Sequence, residues 1–192
     1  MRILVVDDEP IIRMDLVEIL LENNCIVVAE ASDGETAVNL ARSIIPDVTL
    51  MDIKMAGSIN GMQAAKILIE EEICPVVLLT AYHQAELIEE STAIGVYGYL
   101  VKPIKESEVY PALKVAVTKW QGVQKLKEEN IDLKNKLEKR KIIEVAKGVL
   151  MDKYDMKEKE AYRKIQKLSM EKRMDMVEIA KSIILSNEVA SL

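Results

Sequence analysis

The sequence predicts an α/β, doubly wound, five-stranded parallel sheet, followed by a coiled-coil helix and a small three-helix all-α domain. Three observations predict this. Up to about residue 105, short apolar runs alternate with helix-length amphipathic stretches, the pattern of strands joined by helical crossovers. After Pro103 the alternation stops, and Gly122 is the one turn signal before about residue 140. The charge divides in the same region. Residues 1–118 carry 8 Lys/Arg against 19 Asp/Glu, a net of −11, while residues 119–192 carry 18 against 13, a net of +5. The expected domains are therefore 1–118, 119–140 and 141–192, with an acidic front and a basic back suited to different partners.

In order, strand-like runs cover residues 2–6, 26–31, 49–52, 75–79 and 96–101. Between them, Ile12, Leu16, Ile19 and Leu20 form a helical stripe over 9–23, and Asp33 is placed to cap a helix through Ser43. Asn60-Gly61 leads a third helix to Glu71, and residues 84–94 supply a fourth. A long helix follows from Ser107, with Pro111 in its first turn. Over 119–140, Val123, Leu126, Asn130, Leu133 and Leu137 fit an a/d repeat, and an Asn at an a position favours a dimer of fixed register. The tail reads as three short helices: 142–151, a second that starts after Asp155 and runs to about 168, and 176–185. Asp155 with Glu158, and Asp175 with Glu178, form capping-box-like starts for the last two. Helices this short must bury their stripes together as a bundle.

The chain has ten Met, one Trp and no Phe, so its packing is expected to be aliphatic. No apolar stretch approaches a membrane span, and the start runs straight into a strand followed by acids, unlike a secretory signal. Cys25 and Cys74 lie in apolar surroundings without metal-type spacing, which suits reduced core thiols and a cytoplasmic location. Trp120 is expected to pack where the long helix leaves the front domain, and His83 to be a loop residue.

Four of the five strand-like runs end in a reactive group: Asp7 and Asp8 after the first, Asp52 after the third, Thr80 after the fourth and Lys102 after the fifth. In an open α/β sheet these ends form the ligand site, so the groups converge. Three carboxylates together repel unless they hold a hard divalent ion, and Mg²⁺ suits such a set. Asp52 would then attack a phosphoryl group to form an acyl phosphate, with Lys102, Thr80 and loop N–H groups as donors to its oxygens.

Val5-Val6-Asp7-Asp8-Glu9-Pro10, Leu50-Met51-Asp52-Ile53-Lys54-Met55, Leu78-Leu79-Thr80-Ala81 and Tyr99-Leu100-Val101-Lys102-Pro103 closely resemble the receiver domain of two-component response regulators. The resemblance implies a flavodoxin-like fold over about residues 1–118 and phosphorylation of Asp52 by a sensor histidine kinase. It also implies Mg²⁺ held by Asp7, Asp8, Asp52 and the Lys54 carbonyl, a Thr80–Tyr99 switch pair, and a cis Lys102-Pro103 peptide.

In the tail, Lys139-Arg140-Lys141-Ile142-Ile143-Glu144-Val145-Ala146-Lys147-Gly148-Val149-Leu150-Met151, with Glu160-Ala161-Tyr162-Arg163 and Leu168-Ser169-Met170, resembles the ANTAR domain. That resemblance implies a three-helix RNA-binding module of transcription antiterminators, like the regulators of ethanolamine-utilisation operons. Such proteins bind paired stem-loops in leader transcripts and prevent terminator formation. Lys139, Arg140, Ala146, Lys147, Gly148, Tyr162, Arg163 and Arg173 are the RNA-contact candidates, while Gln166 departs from the basic residue expected there. Tyr162 could equally pack in the core, and Ala146 and Gly148 could be small for a neighbouring helix as well as for RNA. Phosphorylation is expected to favour a homodimer that grips two hairpins.

Two other classes compete. A DNA-binding response regulator would carry more Arg on its recognition helix than the single Lys181 of 176–185. An aspartyl-phosphate phosphatase needs a second carboxylic acid two residues after the nucleophile, and Lys54 stands there, so turnover of an external substrate is not expected.

Overall fold

The computed structural model describes residues 1–81 and 94–189. The chain divides into two compact units, Met1–Gln124 and Lys125–Leu192.

The first unit is built from strands β1 (Arg2–Val6), β2 (Ile26–Ala31), β3 (Val48–Asp52), β4 (Val76–Ala81) and β5 (Gly98–Lys102). They pair in parallel in the order β2-β1-β3-β4-β5, so β1 and β3 lie side by side at the reversal of strand order. Strand alternation splits the core in two. Ile3, Val5, Leu50, Val77 and Leu79 face helix α1 (Pro10–Glu22) and the first turns of α4 (Glu106–Tyr154), through Leu16, Leu20, Val109 and Leu113. Leu4, Val6, Met51, Val76 and Leu78 pack on α2 (Gly34–Ile44) and α3 (Gly61–Glu70). Helices on both faces make the sheet doubly wound, as the alternation predicts.

The helix starts follow their caps. Asp33 accepts from the Thr36 N–H at 2.8 Å, and Asn60 exchanges hydrogen bonds with Gln63 at 2.9 Å in both directions. The helix expected over 84–94, and His83, lie outside the described residues, Ile94 excepted. Trp120 packs edge-on against Tyr97 with ring centroids 5.2 Å apart.

The long helix differs from expectation. The segment expected to break near residue 140 continues through Tyr154, a helix of 49 residues, because nothing between Arg140 and Lys141 favours a turn. Pro111 falls in its second turn, not its first, so one i→i−4 hydrogen bond is lost there.

In the second unit, α5 (Glu158–Lys172) and α6 (Met176–Val189) complete a bundle with the end of α4. Its core is Ala146, Leu150, Ala161, Ile165, Ile179 and Ala180. Asp155 does not cap α5. It takes a left-handed φ of 54°, which Asp tolerates, and the Lys157 N–H donates to Glu160 at 3.0 Å instead. Asp175 accepts from the Val177 N–H at 2.8 Å at the start of α6. Along the middle of α4, Leu126, Ile131, Leu133 and Leu137 are each about 60% exposed. Among the described residues, no helix is long and apolar enough to cross a membrane.

Candidate functional site: a carboxylate cluster at the sheet edge and a basic groove

The carboxyl ends of β1, β3 and β5 bring Asp7, Asp8, Asp52 and Lys102 to one place. Asp7, Asp8 and Asp52 each offer a carboxylate oxygen within 4.8 Å of the others, a set of hard oxygen donors that fits Mg²⁺. Asp7 is fully buried and Asp52 nearly so. Lys102 Nζ bridges them at 2.8 Å from each, and the Lys54 N–H donates to Asp52 Oδ2 at 3.1 Å. Burial pushes the Asp52 carboxyl above the usual carboxylate range against the pull of Lys102, and the like charge of Asp7 acts in the same upward direction. Burial would lower the Lys102 ammonium, but its hydrogen bonds to Asp52 and Asp7 outweigh that and hold it above its ordinary value.

Thr80 is buried on β4 and donates to the Ala81 carbonyl at 3.3 Å, while Tyr99 on β5 is half exposed. The Lys102-Pro103 peptide is cis. Two residues at this site have no strand-end motif. Arg13 on α1 donates from Nη1 to the Asp7 carbonyl at 2.7 Å, and its Nε lies 3.4 Å from Glu30. Gly61 opens α3 with its N–H donating to the Ile53 carbonyl at 3.1 Å. It lies so close to β3 that an added Cβ would overlap the Asp52 carbonyl oxygen. The Asn60-Gly61 helix start locates Gly61, but only the fold reveals what it touches.

In the second unit, five of the eight tail candidates line one open groove of about 800 Å³: Lys139, Arg140, Lys147, Tyr162 and Arg163. Lys136 and Lys159, not predicted, line it too. Positions 136, 139, 140, 143 and 147 fall on one face of α4, a spacing readable from the sequence. Tyr162 is 43% exposed, so its ring is not a core side chain. Ala146 is fully buried in the bundle core, whereas a Cβ added at Gly148 would meet nothing within 4 Å. A neighbouring helix thus explains the small residue at 146 and not the one at 148. Arg173, exposed, caps the end of α5 with a left-handed φ of 55° and is not among the groove residues.

Residues 3–114 match the family model of the response regulator receiver domain, and residues 132–184 match that of the ANTAR domain. The transcriptional regulatory protein PdtaR of Mycobacterium tuberculosis is 39% identical over 183 residues, covering 95% of this chain and 89% of that protein. Among solved structures, the receiver domain of the M. tuberculosis response regulator NarL superposes with a TM-score of 0.55 at 31% identity, over 63% of this chain and 96% of that one. The response regulator domain of Thermotoga maritima CheB gives 0.57 at 29% identity, over 62% and 96%. The chain belongs to the response regulator family, with an N-terminal receiver domain and a C-terminal ANTAR domain.

Proposed function

We propose that this chain is an RNA-binding antiterminator controlled by phosphorylation of Asp52. The observation that carries the reading is the pairing of two sites in one chain: a buried Asp52 beside Asp7, Asp8 and Lys102, and a groove of lysines and arginines around an exposed Tyr162.

The phosphoryl donor is a sensor histidine kinase. An Asp52 oxygen attacks phosphorus, the P–N bond to the kinase histidine breaks, and the imidazole keeps the electron pair. Asp7, Asp8 and Asp52 would hold Mg²⁺, with the Lys54 carbonyl, and that ion supplies positive charge beside the phosphoryl oxygens. Lys102, already between Asp7 and Asp52, moves its ammonium to one of those oxygens. Thr80 exchanges its Ala81 carbonyl for another, and Tyr99 turns inward behind it. No acid stands at position 54 to protonate a leaving group, so the chain keeps its phosphate and is not an enzyme acting on an external substrate.

In the tail, exposed bases of a hairpin loop stack on Tyr162, and Lys139, Arg140 and Arg163 take phosphates. Two chains pair through Val123, Leu126, Asn130, Leu133 and Leu137, an exposed stripe with the Asn that favours fixed register. Pairing raises affinity for two adjacent hairpins in a leader transcript through effective concentration. The site of action is the cytoplasm, where transcripts are made.

A titration with leader RNA tests the reading, using one or two stem-loops, with and without a small-molecule phosphoryl donor and Mg²⁺. Phosphorylation is expected to tighten binding to the two-hairpin RNA by at least about tenfold, an avidity gain. Asp52→Ala should abolish that gain, and duplex DNA should bind more weakly than RNA. Preference for DNA would replace the tail assignment with a DNA-binding regulator while leaving the receiver intact.

A further inference from the structure

One lysine in the basic groove does not face outward. Lys147 is only 5% exposed. Its ammonium lies 2.8 Å from Glu144, one turn back on α4, and 2.7 Å from Glu158, the first residue of α5. Those hydrogen bonds hold the ammonium above its ordinary value and, at the other end, the Glu158 carboxyl below its own. Both glutamates are well exposed, so the lysine is the buried member of the trio. An ammonium has three donors, and two of these are already committed to carboxylates. Pulling it toward a phosphate would strand two negative charges beside the RNA.

On the RNA reading given above, we infer that Lys147 is a positioning residue and not a phosphate contact. It clasps the first turn of α5 to α4, and so sets the distance from Tyr162 and Arg163 on α5 to Lys139 and Arg140 on α4. It also offsets one of the two negative charges of the acids that line the same groove.

The clasp reverses the sign expected of an ordinary surface acid. Removing acids beside a nucleic-acid site strengthens binding, because less negative charge faces the phosphates. Here Glu144→Ala/Glu158→Ala removes both anchors and should weaken RNA binding by about tenfold, at a temperature where circular dichroism shows a folded chain. Lys147→Met should weaken it similarly, and Lys147→Arg, which keeps both ion pairs, should restore it. The test is a salt-dependent titration of these full-length variants with a single stem-loop RNA. Tighter or unchanged binding by the double-alanine variant, with Lys147→Met lowering the salt slope by about one, makes Lys147 a phosphate contact and overturns the clasp.

Hydrogen exchange without RNA separates failure of the clasp from failure of the RNA reading. Faster exchange of the amides of residues 158–163 in Lys147→Met supports the clasp even for a chain that binds no RNA. Unchanged exchange there overturns it, whatever the RNA does.

Discussion

Lys102 and Lys147 each lie between two carboxylates, yet the two regions use this arrangement in opposite ways. At the sheet edge the acids are the buried partners: Asp7 is inaccessible, the Asp52 side chain is 8% exposed, and the lysine reaches them from a side chain 20% exposed. In the tail the lysine is buried, at 6%, and its glutamates are 53% and 70% exposed. Buried acids remain costly even when paired, which on the proposed reading holds them ready for another cation or for an incoming phosphorus. Exposed acids cost little, and their work is finished once the helices are joined. One region therefore encloses its charges within the fold, and the other leaves its groove open.

The glycines give the sharpest way to break that contrast. Gly61→Ala forces a methyl into the Asp52 carbonyl oxygen, and should cost about 3 kcal/mol or more, above the common range for overpacking because the obstacle is backbone. Urea unfolding measures the loss, and uptake of phosphate from a small-molecule donor should fall with it. A fully stable Gly61→Ala would mean that the sheet edge is not closed.

The dryness of the layer beneath the site has a pH signature. Burial pushes the Cys74 thiol up to about 11 from an ordinary 9.0, against the pull of the Thr49 hydroxyl 3.2 Å away. The unfolded chain loses this proton first, so the stability is fully present below pH 9 and is lost as pH rises toward 11. The loss should reach roughly 2 to 3 kcal/mol. Unfolding of the native chain and of Cys74→Ala, compared at both ends of that range, isolates this thiol from the lysines. A constant difference between the two would mean that water reaches it.

The smallest expected effect belongs to the open face. Gly148 sits inside α4 with nothing near its missing Cβ, so Gly148→Ala should stabilise the tail by about 0.5 to 1 kcal/mol, read as a higher melting temperature. Reduced RNA affinity in that more stable variant would place nucleic acid against this turn. Unchanged affinity would place it elsewhere.

The same contrast explains what was legible in the sequence. Asp7, Asp52 and Lys102 each end a short apolar run, and a parallel sheet brings run ends together, so a one-dimensional pattern located a three-dimensional cluster. Arg13 and Gly61 escaped because their partners are backbone atoms, the Asp7 and Asp52 carbonyls, which leave no mark in composition. In the tail, Ala146, Lys147 and Gly148 are consecutive on a helix and so point in three directions: into the core, into the clasp and into open space. A motif read as one unit could not assign them separately. The start of α5 was misplaced for a related reason, since Asp155 with Glu158 carries the spacing of a cap, whereas Glu158 is committed to Lys147.

Because Trp120 is the only tryptophan and its ring meets Tyr97 at the threshold of β5, the chain carries its own optical probe. Red-edge excitation bypasses the six tyrosines, so the emission of all 192 residues comes from one place where the long helix meets the edge of the sheet. The strand that bears Tyr99 and Lys102 can then be followed by unlabelled fluorescence in real time while the tail is occupied with RNA.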